Sequence, residues 1–253
     1  MHQRLIDWLF TIPFLALFGG TLLAFDPLQR IARLFGQRPQ EIVAGALQIV
    51  LVWVFRIAGT RLEVERSPGV LPSSPYLFIS NHQSLFDIPI LGALLFSNFP
   101  KYVSKQELAK WIPSISYNLR RGGNAIIDRT DRGQATSAIR KLAQQVTERG
   151  VSAVLYPEGT RARRGELRRF RNAGAIALLE AAPGVPVVPI TIDGSWELLR
   201  FNLMPVPFGT RVRVRIGTPI ERKPDEDPVA VLEGVRNDIA TTLDGWRAGS
   251  SEG

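Results

Sequence analysis

Two histidines and no cysteine occur in 253 residues, so acid–base chemistry near neutral pH has few possible carriers. His2 sits beside the terminal methionine, where a rigid frame is hard to build. The other, His82, stands in NHQSLFDIP (residues 81–89), with Asp87 following it on the same stretch. An imidazole removes a proton from an alcohol when one ring nitrogen is free and the other donates to a carboxylate, which fixes the tautomer and stabilises the imidazolium. The spacing does not stack the two residues on one helical face. With His82 in a preceding turn and Asp87 on the first helical turn, they meet. Ser84 and Asp87 also have the spacing of a capping box, serine at the N-cap and aspartate at N3, and capping is compatible with catalysis. The lack of cysteine excludes a thiol nucleophile, disulfides and thiolate zinc sites. The sequence shows no metal-ligand cluster.

Two further stretches have a similar setting. GGNAIIDR (residues 122–129) ends a short apolar run in Asp128 and Arg129, and LYPEGTRARR (residues 155–164) ends another in Glu158, Gly159, Thr160 and Arg161. A glycine in such a turn lets the backbone approach a ligand. The alternative is that these turns only start helices or form solvated loops.

The elements that must position these residues read as alternating strands and helices. RLEVE, YLFIS, AIID, VSAVLY, VVPITI and RVRVRI have strand patterns. Helical spacing recurs over residues 135–146, closed by Gly150; from Asn172, taken as an N-cap, to Pro183; and after Pro228. Alternation of this kind predicts an α/β fold with a mainly parallel central sheet and helices on both faces. His82, Arg129 and the 158–161 turn then share the carboxyl edge of the sheet, where such folds place ligands. In RVRVRI one face carries Arg211, Arg213 and Arg215, and a solvated basic face accounts for it as well as a binding role does.

The N-terminal part is different. Residues 8–25 carry no charge, and a second apolar block covers residues 42–55. As helices these measure about 27 Å and about 21 Å, against a hydrocarbon core of about 30 Å. The loop expected between them carries Arg30, Arg33 and Arg38, which a spanning hairpin would translocate against the positive-inside tendency. The expectation is two helices dipping into or lying in the cytoplasmic leaflet. The alternatives are core helices of a soluble domain, or a signal peptide, for which LLAFDP lacks a small-residue cleavage pattern. The domains are therefore expected at 1–58 (membrane-associated two-helix segment), 59–248 (α/β domain) and 249–253 (disordered tail). The net charge of +8 rests on 26 arginines against 5 lysines, which points to a phosphate- or carboxylate-bearing partner.

Taken together, NHQSLFD, GGNAIIDR, YPEGTR and VPVVPI, in that order, resemble the glycerolipid acyltransferase family, in particular its bacterial 1-acyl-sn-glycerol-3-phosphate acyltransferases. KQEL at residues 105–108 is similar to the family's connection between its first two blocks. The resemblance implies His82 as general base on an acceptor hydroxyl, Asp87 as its orienting partner, and direct attack on an acyl thioester without an acyl-enzyme. It implies acceptor binding by Arg129 and Arg161, with Lys105 adding charge and Glu158, Gly159 and Thr160 in the same block. No cofactor is implied; acyl-coenzyme A or acyl carrier protein is the co-substrate. The partners are a lysophospholipid acceptor, the thioester donor and a bilayer, with no nucleic acid, and the expected location is the inner membrane with the catalytic domain facing the cytoplasm. An acyltransferase of the same family using another lysolipid, such as lyso-ornithine lipid, and a non-enzymatic basic peripheral membrane or nucleic-acid-binding protein, are the alternatives. Around FRNAG (residues 170–174) the sequence departs from the family pattern, and the six arginines of residues 161–171 suit coenzyme A phosphates, an acidic carrier protein or anionic lipid equally.

Overall fold

The computed structural model describes residues 2–128 and 130–249. Arg129, an expected ligand, and tail residues 250–253 lie outside the described residues. The elements run α1 (His2–Leu34), α2 (Gln37–Val54), β1 (Arg61–Arg66), β2 (Leu77–Ser80), α3 (Asp87–Leu94), β3 (Pro100–Lys105), α4 (Ile115–Arg121), β4 (Ala125–Ile127), α5 (Arg132–Arg149), β5 (Ser152–Leu155), α6 (Asn172–Ala181), β6 (Val187–Asp193), β7 (Arg211–Ile216) and α7 (Pro228–Ala248).

The strands form one sheet in the order β1-β7-β6-β2-β5-β3-β4. β6 and β7 pair antiparallel, and the other neighbours are parallel. Side-chain alternation divides the core in two. Leu77 and Ile79 of β2 pack under α5, α6 and α7, while Phe78 between them packs under α3 and the N-terminal helices. Helices thus cover both faces, as the pattern of strand and helix signals predicts.

Several boundaries differ from the sequence reading. α1 runs unbroken through Arg30 and Arg33, so only the short turn after Leu34 separates it from α2, with Gly36 at φ 119°. The expected loop is helix because LQRIARL is made of good helix formers, and Arg30 reaches back one turn to Asp26 (2.7 Å). α6 begins at Asn172 with Arg171 at the cap position, one residue earlier than a capping Asn172. α7 includes Pro228 as its first residue and is capped by Asp227, whose carboxylate accepts from the Val229 N–H. β3 and α4 carry no clear sequence period and were not expected. The arginines of β7 are not a free basic face: Arg211 pairs with Glu63, Arg213 with Asp193 and Arg215 with Asp238.

α1 and α2 are each long and apolar enough to cross a membrane. α1 leaves Leu5, Leu9, Ile12 and Leu23 exposed on the side away from the protein, which a core helix of a soluble domain would cover.

Candidate active site

β2 ends at Ser80, and the chain then turns across the carboxyl edge of the sheet. Asn81 fixes the turn to β6: its amide donates to the Ile192 carbonyl and accepts from the Ile192 N–H, both at 2.8 Å. His82 is clamped at its backbone. Its N–H donates to Glu158 Oε1 (2.9 Å), and its carbonyl accepts from the Ala162 N–H (2.7 Å). The first and third sequence blocks therefore hold each other directly.

His82 Nδ1 lies 2.8 Å from Asp87 Oδ2, and the His82 side chain keeps 16% of its surface exposed while that of Asp87 is fully buried. Asp87 begins α3 rather than occupying N3, because the turn before it is closed by its own carboxylate, which accepts from the Gln83 and Ser84 N–H groups at 2.7 and 2.9 Å. Ser84 Oγ accepts from the Phe86 N–H, one residue short of a capping box. Ser195, just past β6, donates to the other carboxylate oxygen at 2.5 Å. A carboxylate accepting from two backbone N–H groups and a hydroxyl is fixed in place. It orients the ring so that Nε2 remains for chemistry, and Nε2 has no hydrogen-bond partner among the described residues. The ring stacks on Tyr156 (centroids 4.1 Å, planes 20° apart), whose phenol burial pushes far above its ordinary titration range.

The remaining expected residues occupy the same rim in different ways. Glu158 is buried, and burial pushes its carboxyl up to about 7. Gly159 has φ 68°, and a Cβ there would sit 3.2 Å from Arg171 Cδ, so glycine serves both conformation and space. Thr160 is exposed. Arg161 is half-buried without an ion pair or hydrogen bond among the described residues, a cation available to an anionic ligand. Lys105 ends β3, exposed, on the same edge. The next residue, Gln106, donates to Asp128 (3.2 Å), tying that edge to the end of β4.

Sequence reasoning missed Ser195, Tyr156 and Gln83. Gln83 donates to Asp193 Oδ1 (3.2 Å), an oxygen that Arg247 also engages, while Arg213 pairs with Asp193 Oδ2. Ser195 and Tyr156 both follow strands whose carboxyl ends face the ligand edge, a positional signal that residue type alone does not carry.

The family model described as Acyltransferase matches residues 61–193, from β1 to the end of β6. The 1-acyl-sn-glycerol-3-phosphate acyltransferase alpha of Ovis aries is 31% identical over 201 residues, 78% of this chain and 68% of that protein. The lyso-ornithine lipid O-acyltransferase of Pseudomonas aeruginosa is 34% identical over 141 residues, 56% of this chain and 52% of its own length. Among solved structures, the 1-acyl-sn-glycerophosphate acyltransferase of Thermotoga maritima shares the fold, with a TM-score of 0.76 at 21% identity over 97% of this chain and 98% of that one.

Proposed function

Because the chain belongs to the acyltransferase family, we propose that it moves a fatty acyl group from acyl-coenzyme A or acyl carrier protein to the sn-2 hydroxyl of lysophosphatidate, giving phosphatidate. The observation that carries this reading is the His82–Asp87 contact of 2.8 Å at the carboxyl rim, with Arg161, which has no ion-pair partner among the described residues, on the same edge.

In this mechanism Nε2 of His82 takes the proton of the acceptor hydroxyl as the oxygen attacks the thioester carbonyl. The positive imidazolium is stabilised by Asp87, itself held by Ser195. The tetrahedral intermediate then collapses, the C–S bond breaks, and the departing thiolate takes the proton back from the imidazolium. No acyl-enzyme forms, so no protein nucleophile is needed. Arg161, Lys105 and Arg129 supply charge for the acceptor's phosphate, and Thr160 a hydroxyl. Glu158 and Gly159 hold the turn against His82. The α/β domain faces the cytoplasm, with α1 and α2 in the inner membrane. A phosphate-free acceptor such as lyso-ornithine lipid is the second reading, supported by the Pseudomonas relative, since guanidinium binds carboxylate as well as phosphate.

The test is acyl transfer by purified, detergent-solubilised protein from palmitoyl-coenzyme A or palmitoyl carrier protein, offered lysophosphatidate and lyso-ornithine lipid in parallel. The parent protein forms phosphatidate, and His82→Ala loses about 10²- to 10⁴-fold in kcat without losing its fold. Product from the lyso-ornithine acceptor alone replaces the first reading by the second. An active His82→Ala variant removes the proposed base.

A further inference from the structure

Beyond residue 58, seven large apolar side chains are exposed among the described residues, and four of them lie on two segments: Leu108 and Trp111 on one, Phe201 and Met204 on the other. Both segments bond to α1. On the first, the Ser114 N–H donates to Asp26 Oδ1 (2.7 Å) and its hydroxyl to the Leu22 carbonyl (2.6 Å). Just beyond the second, the Val206 and Phe208 N–H groups donate to Thr11 Oγ1 (2.9 Å) and Asp7 Oδ1 (2.8 Å). α1, about 50 Å long, is thus held by the same α/β domain near both ends. It lies along that domain, with both exposed apolar segments tied to it by these hydrogen bonds.

Trp111 is the extreme case. It is 97% exposed, and its φ of 66° is an outlier for a bulky residue. Two exposed cations lie close to it along the segment: Lys110, its chain neighbour, and Arg120, bonded to the Ala109 carbonyl. An exposed indole beside cations, on a segment bonded to a membrane-length apolar helix, matches the headgroup boundary of an anionic leaflet. The segment also starts at the catalytic rim, since Gln106 follows Lys105 and bonds Asp128.

We propose that residues 106–114 form a third membrane-inserting element, with Trp111 seated in an anionic lipid leaflet, so that the rim carrying Lys105 opens at the level where a lysolipid headgroup lies. This rests on the membrane-bound reading above and specifies its geometry.

The chain has no cysteine, so Trp111→Cys provides a single thiol for a polarity-sensitive fluorophore, with Glu148→Cys on exposed α5 as the reference. The full-length protein is mixed with phosphatidylglycerol–phosphatidylethanolamine vesicles, and co-flotation is measured on the same samples. The expected result is a blue shift at position 111, quenching by spin-labelled lipid there, and neither at 148. Co-flotation with the 111 probe still in water overturns the proposal while leaving membrane binding intact. Failure to co-float sinks both. A blue shift without vesicles that grows with protein concentration assigns the patch to a second copy of the chain and overturns the lipid assignment. In parallel, unlabelled Trp111→Ser is expected to raise KM for a vesicle-embedded acceptor about fivefold or more with KM for a short-chain, water-soluble acceptor unchanged. An equal change in both contradicts the proposal.

Discussion

At the scale of single residues, the proposed mechanism depends on how completely Asp87 is held. Its two oxygens together take the His82 ring, two backbone N–H groups and the Ser195 hydroxyl. In the proposed mechanism Ser195 touches no reacting atom and acts by positioning Asp87. Ser195→Ala is expected to lower kcat about tenfold, the scale of one lost hydrogen bond to a charged group, with KM for the acceptor unchanged. A larger effect on KM than on kcat would place Ser195 in acceptor binding instead. Glu158 gives a prediction in pH. Burial raises its carboxyl from 4.5 to about 7 in the folded chain. Between those values the unfolded chain has released a proton that the folded chain keeps, so this group makes stability fall as pH rises through the window, by at most about 3 kcal/mol, and level off above it. The difference in unfolding free energy between Glu158→Gln and parent should therefore move in favour of the variant from pH 5 to pH 8. A pH-independent difference would mean that Glu158 is ionised throughout.

At the scale of elements, the hairpin is clasped to the sheet by a buried charge cluster. Glu41 of α2 pairs with Lys101 of β3 (3.0 Å) and Arg149 of α5 (2.7 Å), and burial lowers Lys101 to about 8 even beside that carboxylate. Removing one partner leaves a buried charge unpaired, so Glu41→Ala should cost about 3–5 kcal/mol in detergent-solubilised unfolding, and Glu41→Leu combined with Lys101→Met should recover most of it. Additive losses in the double variant would show that the two groups do not act as a pair. This cluster was invisible in the sequence because Glu41's two partners stand 60 and 108 residues away and nothing local marks them. The strands were legible because a two-residue apolar alternation, or a short β-branched run, survives in β1, β2 and β5 to β7. β3 (PKYVSK) opens with a proline and carries two lysines, one of them the buried Lys101, so neither its composition nor its period announces a strand. His82 and Asp87 were legible because their contact is local. Ser195 was not, since it reaches Asp87 only once β6 has paired with β2.

For the molecule as a whole, the question is whether the N-terminal hairpin is an anchor tied to an independent enzyme or a structural part of it. Phe14 of α1 and Phe55 after α2 are buried in the core cluster of Phe78, Phe86 and Ile90. The Phe86 ring meets Phe14 edge-on at 6.2 Å and Phe55 at 5.1 Å, and Phe86 immediately precedes Asp87. The hairpin therefore packs against the turn that sets the His82–Asp87 geometry. Phe14→Ala should cost about 3–5 kcal/mol of stability and lower kcat on a water-soluble acceptor, where membrane binding plays no part. Removing residues 1–58 leaves α3 as the remaining helical cover on that face of the sheet, and the remainder is expected to aggregate rather than yield a soluble, active α/β domain. The measurement is size-exclusion chromatography and acyl transfer on a short-chain acceptor. A monomeric, active truncated protein would show that the shared aromatic core is dispensable and that the hairpin serves only to hold the enzyme at the bilayer.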